Sequence, residues 1–251
     1  MSILKKIVEN TRENLKAKKA KLSLEDVKSS LKELDLSKSN FKSSISNKDE
    51  AIIAEIKKAS PSAGVISENF NPVEKAKEYE SVGAAALSIL TEEDFFLGSI
   101  DYLKAVKRTT SLPILRKDFI IDEYQIYESK LIGADCILLI ASILSDIQIE
   151  EFVKIAKKLK LDYLIEIHDE KELKRVELYK DALIGVNNRN LNTFEVDLDN
   201  SIRIKNLFKE KNIFIAESGI KSIDDINYLK VHNINVFLIG ESLMRGDFFK
   251  K

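Results

Sequence analysis

Short apolar runs alternate with longer charged segments from residue 51 almost to the end of the chain. Each run is four to seven residues long, as expected for buried strands, and the runs recur about every 26 residues. The segments between them carry helix signals, such as Asn71 followed by Pro72 and Asp169 followed three residues later by Glu172, the spacing of a capping box. Eight strands are predicted, at 51–57, 84–90, 113–117, 136–141, 163–167, 182–186, 213–217 and 236–239.

Alternating strands and helices predict an α/β fold with parallel strands. Near-continuous apolarity in 136–140 and 236–239 indicates strands covered on both faces. Eight such units favour a closed (β/α)8 TIM barrel, and the main alternative is an open doubly wound sheet. No Gly-x-Gly-x-x-Gly follows the first strand, which weakens the dinucleotide-binding version of that alternative.

The segment before the first strand has a different pattern. Residues 1–35 are rich in Lys and Glu with apolar positions at helical spacing, which predicts one or two amphipathic helices, and residues 37–49 are typical of a linker. We therefore expect a single domain over residues 1–251, with residues 1–48 as a helical extension and linker that pack on the barrel.

Composition narrows the choice of partners. The chain has 251 residues, 44% of them hydrophobic, and a net charge of −1, which argues against general nucleic-acid binding. It has no apolar run of the length that a membrane helix needs, so no membrane association is expected. The single cysteine, Cys136, excludes an intrachain disulfide, suits a reducing cytoplasm, and is expected to be a buried core residue rather than a nucleophile. A monomer is expected, with a weak homodimer as the alternative.

Charged and polar residues follow the predicted strands at the ends where barrel enzymes carry their sites. Period-two alternation places five of them inward at one level: Glu55, Lys57, Lys117, Glu166 and Asn187. Opposite charges crowded in a partly dehydrated mouth have shifted pKa values, as general acids and bases require. An ideal strand cannot point both Glu217 and Ser218 inward, so Glu217 is the weaker candidate. Lys58, Arg116 and Asp118 have the opposite parity, which favours salt bridges between barrel and helices.

Two further groups surround these charges. The turns at 218–220 and 240–242 contain Gly219 and Gly240 and are expected to open helices. Free N–H groups at helix starts bind phosphate, and in such barrels the phosphate site usually follows strands seven and eight. Lys57 and Ser60 can add a charge and a hydroxyl. Apolar residues that can line a slot for an aromatic ring, or else pack the barrel top, are Pro61, Phe96, Phe119, Leu138, Leu191 and Phe194. His168 either reaches the mouth or caps the following helix.

Several multi-residue motifs, in order along the chain, resemble the indole-3-glycerol-phosphate synthase family. They lie at 54–62, 90–99, 113–120, 164–169, 185–191, 216–220 and 238–245, and the opening at 3–8 is also similar to the family. The resemblance implies a lyase of tryptophan biosynthesis that acts without cofactor or metal on 1-(2-carboxyphenylamino)-1-deoxyribulose 5-phosphate, a small molecule carrying phosphate and carboxylate. The products are indole-3-glycerol phosphate, CO2 and water.

The resemblance also implies roles for individual residues. Lys117 would be the general acid at the ketone, Glu166 and Glu55 would serve acid–base steps, and Lys57 would hold the substrate carboxylate. The polar network would be completed by Asn187, Glu217, Ser218 and Arg189. The phosphate would be held by Ser60, Gly219 and Gly240. The anthranilate ring would contact Pro61, Phe96, Phe119, Leu138, Leu191 and Phe194. Glu241 stands where some relatives carry serine near the phosphate, so its backbone N–H can make the contact only if the carboxylate points away.

Two other functions compete with this one. A phosphoribosylanthranilate isomerase would have a Cys base at the end of strand one, where this chain has Glu55 and Lys57. A non-catalytic barrel that binds a phosphorylated ligand or a partner has no use for two inward carboxylates facing an anion. The production of indole fluorescence from the substrate would distinguish the three.

Overall fold

Eight parallel strands close into a barrel in the computed structural model, which describes residues 2–33, 38–191, 193–246 and 248. Each strand pairs with its neighbours in chain order and the last pairs with the first, so the open-sheet alternative is wrong. The strands are β1 (Ala51–Ile56), β2 (Ala86–Leu90), β3 (Ile114–Lys117), β4 (Cys136–Ile140), β5 (Asp162–Ile167), β6 (Leu183–Asn187), β7 (Phe214–Glu217) and β8 (Val236–Ile239). All eight predicted strands are confirmed, with ends that differ by at most two residues.

Among the described residues, three helices precede β1 and the others follow the strands on the outside of the barrel. They are α1 (Ile3–Lys21), α2 (Leu24–Ser30), α3 (Phe41–Ser46), α4 (Pro72–Ser81), α5 (Ile100–Lys107), α6 (Glu123–Leu131), α7 (Asp146–Lys158), α8 (Glu170–Val176), α9 (Asp199–Leu207), α10 (Ile223–Lys230) and α11 (Glu241–Met244). Asn71 caps α4 and Pro72 is its first residue, as predicted. Asp169 caps α8, but Glu172 accepts from the backbone N–H of His168 instead of that of Asp169, so the predicted capping box does not form.

Alternation along the strands divides the core into two layers. One layer fills the barrel and includes Leu115, Leu164 and Ile215, and the other packs the outer face of the strands against the helices. Cys136 is fully buried in the inner layer, as its apolar neighbours predicted.

The predicted linker contains a helix that covers the N-terminal end of the barrel. Phe41 and Ile45 of α3 are fully buried and join the cluster inside the barrel. Asp162, the first residue of β5, accepts from the backbone N–H of Lys42 and the hydroxyl of Ser39, each at 2.8 Å, which ties α3 to the strand. The interpretation of 37–49 as a linker is therefore wrong over α3, because two apolar side chains four residues apart suffice to bury a short helix.

The predicted amphipathic helices are α1 and α2, and both contact the barrel. Ile7 and Leu15 of α1 are buried, and the amides of Asn10 and Asn14 donate to Asp94 Oδ2 beyond β2 at 2.5 and 2.7 Å. Residues 34–37, into which the predicted helices and linker extend, lie outside the described residues. In the described part of the chain, no helix combines the length and the apolarity needed to cross a membrane.

Candidate active site

The carboxyl ends of the strands open into one cavity of about 850 Å³. Each residue that the sequence placed in the site lines this cavity, although the residues come from loops and strands spread between positions 55 and 241. The wall has three distinct regions: a charged floor, an apolar side and a rim that carries cations. The predicted convergence of the strand ends is thus present in the structure.

Lys117 is the centre of the charged floor. Its Nζ lies 3.1 Å from Glu166 Oε2 and also contacts Glu217 Oε2, so one ammonium bridges two carboxylates from β5 and β7. All three side chains are largely buried, with 14% of Lys117 exposed and less than that of the two glutamates. The nearby Asn187 donates from Nδ2 to Glu166 Oε1 at 3.2 Å, which occupies the other carboxylate oxygen.

Burial and pairing move the pKa values of these groups in opposite directions. Burial disfavours the charged form of Lys117, but the carboxylates of Glu217, Glu166 and Glu55 outweigh it and raise the pKa of this lysine. Burial also opposes ionisation of Glu166, yet Lys117 and His168 lower its pKa below the ordinary value. For Glu217, burial and the neighbouring Glu166 prevail over Lys117 and raise the pKa to about 7. The floor therefore holds an ammonium, a carboxylate and a carboxyl that titrates near neutral pH.

A second ion pair lies beside the first. Lys57 Nζ is 2.6 Å from Glu55 Oε1, and both side chains are mostly buried. Glu55 ends the inward series of β1, as alternation predicted, whereas Lys57 follows the last strand residue. This pair places a cation near the floor that can turn toward an anionic group of a ligand.

Glu217 points inward, contrary to the argument that made it the weaker candidate. Ser218 has φ 66° and Gly219 has φ 84°, so the chain leaves the extended conformation directly after Glu217. Alternation holds only within a strand, and for that reason Glu217 and Ser218 can both line the cavity.

Apolar side chains form one side of the cavity. The rings of Phe96 and Phe119 have centroids 5.9 Å apart, and Leu138, Leu191, Phe194 and Pro61 continue the surface. The loop that carries Phe96 is held by the buried Glu92, whose Oε2 accepts from the backbone N–H groups of Phe95 and Phe96 at 2.8 and 2.9 Å. This side has the apolar character that a flat aromatic ring requires.

The rim carries the loops after β7 and β8. Gly240 precedes α11, whose N-terminus has no side-chain cap and faces the cavity through Glu241 and Ser242. The Glu241 side chain turns to Arg245, whose Nε lies 3.2 Å from Oε1, and Arg189 lies 3.9 Å from its other oxygen. The carboxylate thus pairs with two cations of the rim.

The loop after β7 differs from the prediction. It does not open directly into a helix, because α10 begins only at Ile223 and Asp225 accepts from the backbone N–H groups of Lys221 and Ser222. The start of this helix is therefore already capped by its own carboxylate. Only the loop residues, Ser218 and Gly219 among them, remain to face a ligand.

Side chains of opposite parity stabilise the outer layer. Arg116 is fully buried and pairs with Glu128 of α6 at 2.8 Å, which confirms the predicted barrel-to-helix salt bridge for this residue. Asp118, for which the same was predicted, pairs instead with Arg116 of β3 at 2.9 Å. Lys58, which was expected to act in the same way, forms no ion pair with a residue that the structure describes.

Sequence reasoning missed several residues that line the cavity. The cavity is also lined by Ile3, Leu4 and Ile7 of α1, and Lys221 and Arg245 add cations to the rim. The helical spacing of the first three indicated a buried face but not what it would cover. Lys221 and Arg245 are within five residues of Gly219 and Gly240, a proximity that could have identified them. Within the described residues, no group of three or more His, Cys, Asp or Glu side chains is placed to hold a metal ion.

A closed barrel with buried acids, bases and cations at the carboxyl ends of its strands defines a (β/α)8-barrel enzyme of acid–base chemistry. A family model described as indole-3-glycerol phosphate synthase matches residues 4–251, and this chain belongs to that family. The members are carboxy-lyases of tryptophan biosynthesis.

Individual relatives agree with the family match. The chain is similar to proteins named indole-3-glycerol phosphate synthase from Ruminiclostridium cellulolyticum, with 49% identity over 97% of this chain and 94% of the relative, and from Clostridium acetobutylicum, with 47% identity over 97% and 93%. Among solved structures, it is similar to the N-acetylmannosamine-6-phosphate 2-epimerase from Clostridium perfringens, with a TM-score of 0.60 and 12% identity over 80% of this chain and 90% of that one. At that identity the likeness shows the fold alone.

Proposed function

We propose that the cavity converts 1-(2-carboxyphenylamino)-1-deoxyribulose 5-phosphate into indole-3-glycerol phosphate, CO2 and water. The ring carbon that bears the carboxylate attacks the ketone carbon, and this carbon–carbon bond closes the five-membered ring. The carboxylate then leaves as CO2, and the former ketone oxygen leaves as water. The observation that carries the proposal is the Lys117 ammonium, fixed between two carboxylates on the floor of the cavity.

Lys117 is the general acid at the ketone. The carboxylates raise its pKa, so it is protonated at neutral pH, and the alkoxide that develops on ring closure is a stronger base than the lysine amine and accepts the proton. In a buried site, a fixed positive charge stabilises that alkoxide far more than it would in water.

The substrate has three parts that match three parts of the wall. Lys57 binds the carboxylate, and the slot of Phe96, Phe119, Pro61, Leu138, Leu191 and Phe194 binds the anthranilate ring. Ser60, Gly219, Gly240 and the backbone N–H of Glu241 bind the phosphate at the rim, where Arg189 and Arg245 balance the Glu241 carboxylate. With the carboxylate, the ring and the phosphate bound in this way, the ketone lies over the charged floor.

The remaining polar residues complete the proton transfers. Glu166 and Glu55 act as acid and base, and Glu217, with its pKa of about 7, can hold or release a proton at working pH. Asn187, Ser218 and Arg189 form the polar network around them. No cofactor is required, because ring closure, loss of CO2 and loss of water are redox-neutral in sum and need only proton transfers.

The direct test is to mix the purified protein with this substrate and follow the fluorescence of the indole product. Turnover at a rate that scales with protein concentration is the expected result. An inert protein that still binds inorganic phosphate would favour the non-catalytic barrel instead.

The role of Lys117 is tested by Lys117→Ala. Loss of a general acid lowers kcat by about 10²- to 10⁴-fold, and inhibition by inorganic phosphate should stay near the wild-type level because the rim is intact. Lys58→Ala is the matched control, since Lys58 carries the same charge but does not line the cavity. Wild-type rates in Lys117→Ala would refute the role.

We also propose how the chain is organised and in which oligomeric state it works. Residues 1–251 form a single domain in which 1–48 is the helical extension, and the protein works as a monomer, with a weak homodimer as the alternative. The lone, buried Cys136 suits a cytoplasmic location.

A further inference from the structure

His168 lies directly behind a carboxylate of the site. It follows the last residue of β5, and its Nε2 is 3.5 Å from Glu166 Oε1. That nitrogen is buried and makes no hydrogen bond to any residue that the structure describes. The imidazole edge therefore points at Glu166 with its donor capacity unused.

The opposite edge of the ring is fixed by α8. Glu172 Oε2 lies 3.2 Å from His168 Nδ1 and accepts from the backbone N–H of the same histidine at 2.8 Å. Asn200 of α9 donates to the carbonyl oxygen of His168 at 3.1 Å. Backbone and ring are thus both held, yet His168 does not line the cavity, so it acts on the reaction through its neighbours, above all through Glu166, which its Nε2 faces.

The surroundings of the ring favour its charged form. Burial lowers the pKa of His168, but Glu172 of α8, Glu166 of β5 and Glu217 of β7 raise it above the ordinary value in sum. The other charged group of this cluster is Lys117 of β3, which lies on the far side of Glu166 and Glu217. Without the imidazolium, the floor has three carboxylates, Glu55 included, and two lysines. Protonation of His168 adds a cation between Glu166 and Glu172.

We propose that His168 is a positioning residue which, in its protonated form and held by Glu172, orients the Glu166 carboxylate and keeps it ionised. The inference rests on the proposed function, because Glu166 is assigned there to the acid–base steps. Glu172 holds His168, and His168 in turn faces Glu166.

The first test is the dependence of kcat/KM on pH, which reports ionisations of the free enzyme. His168→Asn keeps a group that can hydrogen-bond Glu172 but removes the charge and the Nε2 edge. Loss of the cation raises the pKa of Glu166. The limb of the kcat/KM profile that reports ionisation of the carboxylate cluster should therefore move to higher pH by about one unit. KM at low pH should be unchanged. His232→Asn is the matched control, since His232 lies before β8 at the opposite end of the barrel.

The second test separates the role from simple loss of structure. Glu172→Gln leaves His168 in place but removes one of the three charges that raise its pKa, so the same limb should move upward by a smaller amount. Because Glu172 acts through His168, adding Glu172→Gln to His168→Asn should produce no further shift.

The outcomes distinguish this inference from the proposed function. A wild-type protein without turnover would remove the proposed function itself. If the wild type is active, a His168→Asn profile that coincides with it would overturn the positioning role, and so would a further shift of the limb in the double variant.

Discussion

At the scale of single residues, two glycines make room for the carboxylates of the floor. A Cβ on Gly185 of β6 would overlap Glu217 Oε1 and stand 2.8 Å from Leu164 Cδ2, and a Cβ on Gly240 would overlap Glu55 Oε1. Neither glycine has a positive φ, so the requirement is space and not backbone conformation. From the sequence, Gly185 could be assigned only to the inward face, because alternation indicates direction and not the distance to the neighbouring strand.

We therefore expect Gly185→Ala to lower kcat by about 10²-fold, since a displacement of Glu217 by about 1 Å spoils the geometry around Lys117. Urea unfolding should show a loss of stability of about 1–3 kcal/mol, the usual cost of overpacking. Adding Glu217→Ala removes the overlapping carboxylate, so the double variant should be more stable than the two single losses imply. Strict additivity of the two losses would show that the clash is absent.

Glu217 also makes stability depend on pH. Burial raises its pKa from the ordinary 4.5 to about 7, so the folded state keeps a proton that the unfolded state has released. Its contribution to stability is complete below pH 4.5, declines as pH rises, and is lost above about pH 7.

The variant Glu217→Gln lacks this ionisation. Between pH 5 and 8, urea unfolding should show the stability of the variant rising relative to wild type by at most about 3 kcal/mol, from 1.4 kcal/mol per pKa unit. The exposed Glu151→Gln is the control and should run parallel to wild type. A Glu217→Gln curve that also runs parallel would mean that this carboxyl is ionised throughout the range.

At the scale of elements, the pattern of apolar runs predicts strands well and short helices poorly. Eight buried strands of four to six residues repeat one signal at one period, and closure of the barrel corrects small errors at their ends. The α3 helix occurs once, among Ser, Lys and Asn residues, and only Phe41 and Ile45 distinguish it from a loop. A helix of six residues is too short to be stable alone, so tertiary packing and not local propensity determines it.

The packing of α3 predicts where its loss will be felt. Phe41→Ala should lower the free energy of unfolding by about 3–5 kcal/mol, because a fully buried ring leaves a cavity at the base of the barrel. The site is at the other end, so kcat and KM of the folded variant should remain at wild-type values. Leu178→Ala, which alters a side chain that is 62% exposed, should cost much less. A large change in KM for Phe41→Ala would show that the two ends are coupled.

At the scale of the whole molecule, the two signs of charge are separated within the cavity although the net charge is close to zero. The net charge of −1 gives no general attraction for an anion. In the cavity, however, the carboxylates Glu55, Glu166 and Glu217 outnumber the lysines of the floor, whereas Arg189, Lys221 and Arg245 outnumber Glu241 at the rim. Composition showed only the near balance of the two signs, because the separation arises when distant loops meet. A substrate with phosphate at one end thus meets positive charge first.

This separation predicts that association is sensitive to salt. Raising ionic strength to about 0.5 M should lower kcat/KM by up to about tenfold and leave kcat unchanged, because screening weakens the attraction of the rim for the phosphate and does not reach the buried floor. Lys221→Ala should flatten this dependence, since Lys221 is an exposed cation of the rim. Lys48→Ala removes an equal charge just before β1, at the opposite end of the barrel, and should keep the wild-type slope. Equal slopes in the two variants would mean that the rim does not guide the substrate.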